Sequence, residues 1–138
     1  TNNWTLITRE AGWSPRIHFG NVYTSGHQLY VVGGTNTLTN YGDVWSSPDK
    51  GEQWSRLVDV AAFGPRHGHA LVETSSGDIL VIGGDGGSTS SSSEPVPRQD
   101  VWRSSDGREW VLVTASAPWH PRKRFGATVD KTGTVFIV

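Results

Sequence analysis

The chain repeats itself, and this restricts its fold more than any other property of the sequence. Trp4, Trp54 and Trp110 are spaced by 50 and 56 residues. The pairs Pro15-Arg16, Pro65-Arg66 and Pro121-Arg122 keep the same two offsets. So do the apolar runs Leu29-Tyr30-Val31-Val32, Ile79-Leu80-Val81-Ile82 and Val135-Phe136-Ile137-Val138. Gly33-Gly34 and Gly83-Gly84 follow the first two runs, and Asp43-Val44-Trp45 returns as Asp100-Val101-Trp102. A period of 50 belongs to propellers and solenoids, in which each repeat is one supersecondary unit that buries its apolar face against its neighbours.

The second copy is longer because of one stretch. Gly84 to Asp100 spans 16 residues where Gly34 to Asp43 spans 9. The insertion, Gly86 to Pro97, is rich in Gly, Ser and Pro, cannot bury apolar area, and reads as a mobile surface loop. Elsewhere, short β-branched and aromatic runs alternate with Gly, Pro, Asn and Asp, and no long window keeps a helical period. The expected strands are Phe19–Thr24, Gln28–Val32, Asp43–Ser47 and Trp54–Val58 in the first copy. They are His69–Thr74, Asp78–Ile82, Asp100–Ser104 and Trp110–Thr114 in the second. A lone strand, Trp4–Thr8, is expected before them, and Ala127–Asp130 and Thr134–Val138 after them.

Composition narrows the function classes. A net charge of -1 argues against nucleic acid as a partner. The chain has no Cys, which excludes disulfides, thiolate metal sites and Cys nucleophiles. No apolar run approaches the ~18 residues of a membrane span.

The Arg-containing first strand, the apolar second strand ending in Gly-Gly, and the Trp that opens the fourth strand resemble the kelch repeat. Pro65-Arg66-His67-Gly68-His69-Ala70 with Ile79-Leu80-Val81-Ile82-Gly83-Gly84 is the best match. The first copy departs at Gly20, where the second has Ala70. The third, Pro121-Arg122-Lys123-Arg124-Phe125-Gly126-Ala127, reads as one residue longer before its strand. The resemblance implies an all-β chain of four-stranded antiparallel blades from a galactose-oxidase-like β-propeller, about 2.75 blades in all. Residues 1–8 would be the last strand of a preceding blade, 9–58 and 59–114 two whole blades, and 115–138 the first half of another. Further blades are expected from the same, longer chain, because an open stack leaves sheet faces and edges uncovered.

A second resemblance overlaps the first. Ser47-Pro48-Asp49-Lys50-Gly51-Glu52-Gln53-Trp54 and Ser104-Ser105-Asp106-Gly107-Arg108-Glu109-Trp110 are similar to the Asp-box hairpin of sialidases and other propellers. In such a hairpin the carboxylate accepts backbone N–H groups across the turn and Trp closes over it. Asp49, Trp54, Asp106 and Trp110 are therefore expected to be structural, as are Gly33, Gly34, Gly83 and Gly84. All seven Trp fall into three recurring slots, so packing between blades is the default role of each.

Function, on this reading, lies in loops held at one end of the blades. The candidate binding residues are Trp13, Arg16, Phe63, Arg66, His67, Trp119, Arg122, Lys123 and Arg124. If Arg66 contacts a partner, Arg66→Ala is expected to weaken binding without lowering the melting temperature. His67 and His69, two residues apart, could form half of a metal site, but no third ligand completes it in sequence. Asp85-Gly86-Gly87 offers too few oxygens for calcium. A galactose-oxidase copper site needs a Cys that this chain lacks, and no sialidase-type Tyr/Glu pair is present. No catalytic residue, metal or cofactor is expected. The expected function is non-catalytic binding of a protein, or of a glycan, or a structural part in a larger assembly. The alternative is an enzyme on the same scaffold, a sialidase-like glycosidase or a sugar isomerase. The hairpins and the sequon Asn3-Trp4-Thr5 point to a secreted or cell-surface location.

Overall fold

A computed structural model describes residues 3–36, 38–86 and 96–138. Ten strands form three antiparallel sheets, and no described residue is helical. The first sheet holds β1 (Gly20–Tyr23), β2 (Leu29–Val32), β3 (Val44–Ser47) and β4 (Ser55–Val58), paired in that order. The second holds β5 (Ala70–Glu73), β6 (Ile79–Asp85), β7 (Pro97–Ser104) and β8 (Val111–Thr114), in the same order. The third has two strands, β9 (Ala127–Val129) and β10 (Val135–Ile137). No helix among the described residues is long and apolar enough to cross a membrane.

Each sheet begins with the same hairpin turn, built three times. Thr24 and Thr74 accept N–H bonds with Oγ1 from Gln28 and Asp78, and Asp130 does so with Oδ1 from Thr134. Three residues after each of these caps the chain turns left-handed, at His27 (φ 62°), Gly77 (φ 85°) and Gly133 (φ 88°). A side-chain acceptor followed by a residue with positive φ is what a tight hairpin needs, and it fixes the register of the strands it joins.

The sheets pack face to face. One core of Val32, Val44, Phe63, Leu71, Val81 and Trp110 lies between the first and second sheets. Another, with Ala70, Val72, Ile82 and Val101 at its centre, lies against Phe125 and against Val129 and Ile137 of the third. The first strands run side by side, β1 against β5 and β5 against β9. Burial of branched side chains on both faces of the second sheet, at about 25 cal/mol per Å² of apolar area, holds the stack together.

Three expectations need correction. Residues 4–8 form no strand: Trp4 is 96% exposed, and Leu6 and Ile7 are also exposed. Second, the third copy is not longer. Gly126 and Val138 exchange both backbone hydrogen bonds, at 3.0 and 3.1 Å, as extensions of the β9–β10 ladder. Gly126 therefore occupies the place of Gly20 and Ala70, each four residues after its Arg. Third, Gly83 does not end its strand. A bulge between Ile82 and Gly84 absorbs it, and pairing resumes at Gly84–Arg98 and Asp85–Pro97. The insertion thus lengthens the β6–β7 hairpin; residues 87–95 of it lie outside the described residues.

Candidate functional site

The repeated Pro-Arg and Asp-Val-Trp motifs turn out to be two halves of one unit. Arg16 binds Asp43 through both terminal nitrogens, at 2.6 and 3.0 Å, and donates to the Gly33 carbonyl. Trp45 donates its indole N–H to the same carboxylate at 2.7 Å. Arg66 repeats the arrangement with Asp100, at 2.9 Å twice, and with the Gly83 carbonyl, and Trp102 donates to Asp100 at 2.7 Å. Burial pushes the Asp100 carboxyl up, but the hydrogen bonds and charge of Arg66 outweigh this and hold it below its ordinary range. A planar fork meeting a carboxylate with two parallel bonds is the strongest geometry available to such a pair.

This geometry decides the roles of two candidate binding residues. The Arg16 side chain is 1% exposed and that of Arg66 is 0% exposed. Both guanidinium groups are committed inside the protein, so Arg66→Ala is now expected to lower stability rather than only binding. Phe63 is buried and meets Trp110 edge-on at 5.0 Å. Trp13 meets Trp54 in the same way at 5.9 Å, and Trp119 packs on the second core. Trp13 and Phe63 thus repeat one packing contact.

The paired glycines join neighbouring sheets. Gly34 donates its N–H to the Arg66 carbonyl and Gly84 to the Arg122 carbonyl, at 2.8 and 2.9 Å. A Cβ on Gly33 would lie 2.7 Å from the Arg66 carbonyl oxygen, and one on Gly84 2.7 Å from the His69 Cβ. At the hairpins, Asp49 accepts from the Gln53 N–H, and Asp106 from those of Arg108 and Glu109. Trp54 and Trp110 donate to the carbonyls of Gly51 and Gly107.

The remaining candidates converge at one end of the first strands. His18, Gly68 and Arg124 occupy equivalent positions, all with φ between 54° and 63°. They are linked in a row: Arg124 N–H donates to the Gly68 carbonyl and Gly68 N–H to the His18 carbonyl, both at 2.7 Å. The His18 and His67 rings lie 6.3 Å apart, and His67 Nδ1 is 3.1 Å from Asn40 Oδ1. Lys123 reaches the buried Asp85 at 2.6 Å while its side chain stays 34% exposed. Arg124 is exposed, and Arg122 is half-buried over Phe125. Burial is the main cause that lowers the His67 pKa; Lys123, His18 and Arg124 add to it and Asp85 opposes it. The arrangement sets the exposed Arg124 beside His67 and beside a Lys123 that is paired with the buried Asp85.

His67 and His69 meet different groups. His69 is fully enclosed, and a Cβ on Gly20 would sit 2.6 Å from its Nε2. The departure of the first copy at Gly20 is therefore the space that His69 fills. Burial drives the His69 pKa down to about 3, with the Arg66 charge next in effect. Among the described residues, no group of three or more His, Cys, Asp or Glu is placed to hold a metal ion. Sequence reasoning missed Asp43 and Asp100 as the partners of the repeated Arg. The signal was there in the recurrence of both motifs, but their separation in the chain, 27 residues in one copy and 34 in the other, hid the contact.

No protein-family model matches the sequence, and no curated protein matches it. Among solved structures, that of YjhT is similar, with a TM-score of 0.72 and 16% identity, over 96% of this chain. This chain spans 36% of the length of YjhT, and at that identity the likeness is one of fold.

Proposed function

We propose that the chain is a segment of a kelch-type β-propeller that binds an acidic partner protein at the end of its first strands, without catalysing a reaction. The observation that carries this reading is the row of His18, Gly68 and Arg124 at one end of the sheets, beside which His67 lies 6.3 Å from His18 and Lys123 reaches the buried Asp85. The repeated four-stranded sheets, stacked with their first strands adjacent, and the likeness to a chain almost three times as long support the propeller. In it, residues 9–58 and 59–114 would be blades, and 1–8 and 115–138 parts of two others.

Such a cluster attracts carboxylates over several ångströms and loses that attraction in salt. The test is titration of the chain with an oligo-glutamate peptide. Arg124→Asn removes one exposed cation and keeps a residue that tolerates positive φ. It is expected to weaken binding by about fivefold, roughly 1 kcal/mol, with an unchanged melting temperature. Binding that is indifferent to both this substitution and salt would overturn the proposal.

A further inference from the structure

The two four-stranded sheets serve as controls for one another. Each carries a recess between the start of its third strand and the connection that leaves its fourth. At β3 the recess is about 720 Å³ and takes in Tyr41, Asp43, Trp45, Arg56 and Asp59. At β7 it is about 330 Å³ and takes in Arg98, Asp100, Trp102, Leu112 and Ala115. The Asp and Trp are common to both and belong to the Arg–Asp–Trp unit. Tyr41, Arg56 and Asp59 stand where the second sheet has Arg98, Leu112 and Ala115. The unit does not need them, since the second sheet builds it without them. With Asn40 for Pro97 and Gly42 for Gln99, five departures from the repeat thus gather at one recess, and it is the larger of the two.

We infer that the recess at Trp45 binds a neutral, polyhydroxylated ligand, such as one pyranose ring of a glycan. Its charges are balanced in pairs, Arg16 with Asp43 and Arg56 with Asp59, so a charged ligand gains nothing there. Arg56 Nε holds Asp59 Oδ1 at 2.7 Å at the rim, with both side chains more than half exposed. This leaves further guanidinium N–H donors beside a second carboxylate oxygen, the donor and acceptor that two neighbouring hydroxyls require. Trp45 has its N–H committed to Asp43 and offers its ring as an apolar wall, with the Arg56 guanidinium 5.6 Å from the ring centre. The volume is within the ordinary range of small-ligand sites, ~300–1,000 Å³. The site uses neither Lys123 nor Arg124, so it stands or falls separately from the acidic-partner proposal.

The experiment follows the Trp45 indole N–H resonance of the whole chain during titration with the methyl glycosides of glucose, galactose and mannose. At least one glycoside is expected to produce a saturable shift. Arg56→Leu with Asp59→Ala, the residues of the second sheet, is expected to weaken it by about tenfold or more. Asp59→Asn, a milder change, is expected to weaken it in the same direction, and Arg124→Asn to leave it unchanged. No saturable shift with any of the three, a shift that survives the double substitution, or tighter binding of glucuronate than of the neutral glycosides would overturn the inference.

Discussion

Arg66 shows how a polar side chain becomes part of a core. It reaches two buried carbonyls and the half-buried Asp100 carboxylate, and its own side chain is 0% exposed. Removing one member of such a pair leaves the other buried and uncompensated, at a cost of about 3–5 kcal/mol. Arg66→Ala is therefore expected to lower the melting temperature by roughly 10 °C, read by calorimetry. An unchanged melting temperature would return Arg66 to the surface role first expected of it. His69 and Gly20 make a second residue-scale case. Gly20→Ala puts a methyl group where His69 Nε2 already sits, 2.6 Å away, and should cost about 1–3 kcal/mol. In a His69→Ala background most of that cost should vanish, and a double-mutant cycle measures the difference. Additive effects would mean that the two residues do not share the space.

At the scale of the element, the glycines divide into two kinds. Gly77 and Gly84 have nearly the same φ, 85° and 90°. A Cβ on Gly77 meets nothing within 4 Å, whereas on Gly84 it comes within 2.9 Å of the His67 carbonyl and 2.7 Å of the His69 Cβ. Gly77→Ala should thus show backbone strain alone, about 1–2 kcal/mol. Gly84→Ala should exceed it clearly in urea unfolding, because backbone and a packed side chain must move as well; equal losses would refute the close approach. The strands themselves were legible in the sequence, because turn residues and alternating apolar runs are local signals repeated two or three times. What stayed hidden was long-range. The Arg66–Asp100 pair joins residues 34 apart, and the ladder beyond the Gly83 bulge depends on pairing that composition does not record. Trp4 matches Trp54 and Trp110 in its local pattern, yet residues 4–8 form no strand and Trp4 is exposed. Of the candidate site, the cationic loop could be read directly as a run of charges, whereas the recess at Trp45 became visible only when matching positions of the two sheets were compared in space.

For the molecule as a whole, the packing of sheets around an enclosed imidazole makes stability depend on pH. His69 sits between the first and second sheets, neither ring nitrogen making a hydrogen bond of ordinary geometry, and its pKa falls from 6.5 to about 3. The folded state therefore keeps the ring neutral, while the unfolded chain takes up a proton below pH 6.5. Between those two values the unfolded state binds more protons, so stability rises with pH: it is full above 6.5 and declines steadily toward 3. By pH 5 the loss should be about 2 kcal/mol. Asp100 acts in the same sense at lower pH. Burial opposes its ionisation, but Arg66 holds its carboxyl below the ordinary 3.8, so its contribution is present above that value and lost as the pH falls further. His67 faces Asp85, Lys123, His18 and Arg124 and is only partly buried, so its share is smaller. The measurement is urea unfolding between pH 7.5 and 4.5 for the chain and for His69→Phe, the residue that Phe125 supplies at the matching position of the third copy. The substitution is expected to flatten the decline between pH 6.5 and 5, whatever it does to stability at neutral pH. A slope that persists in the variant would place the acid sensitivity in the carboxylates instead, and would mean that the sheets can part around a protonated His69 at little cost.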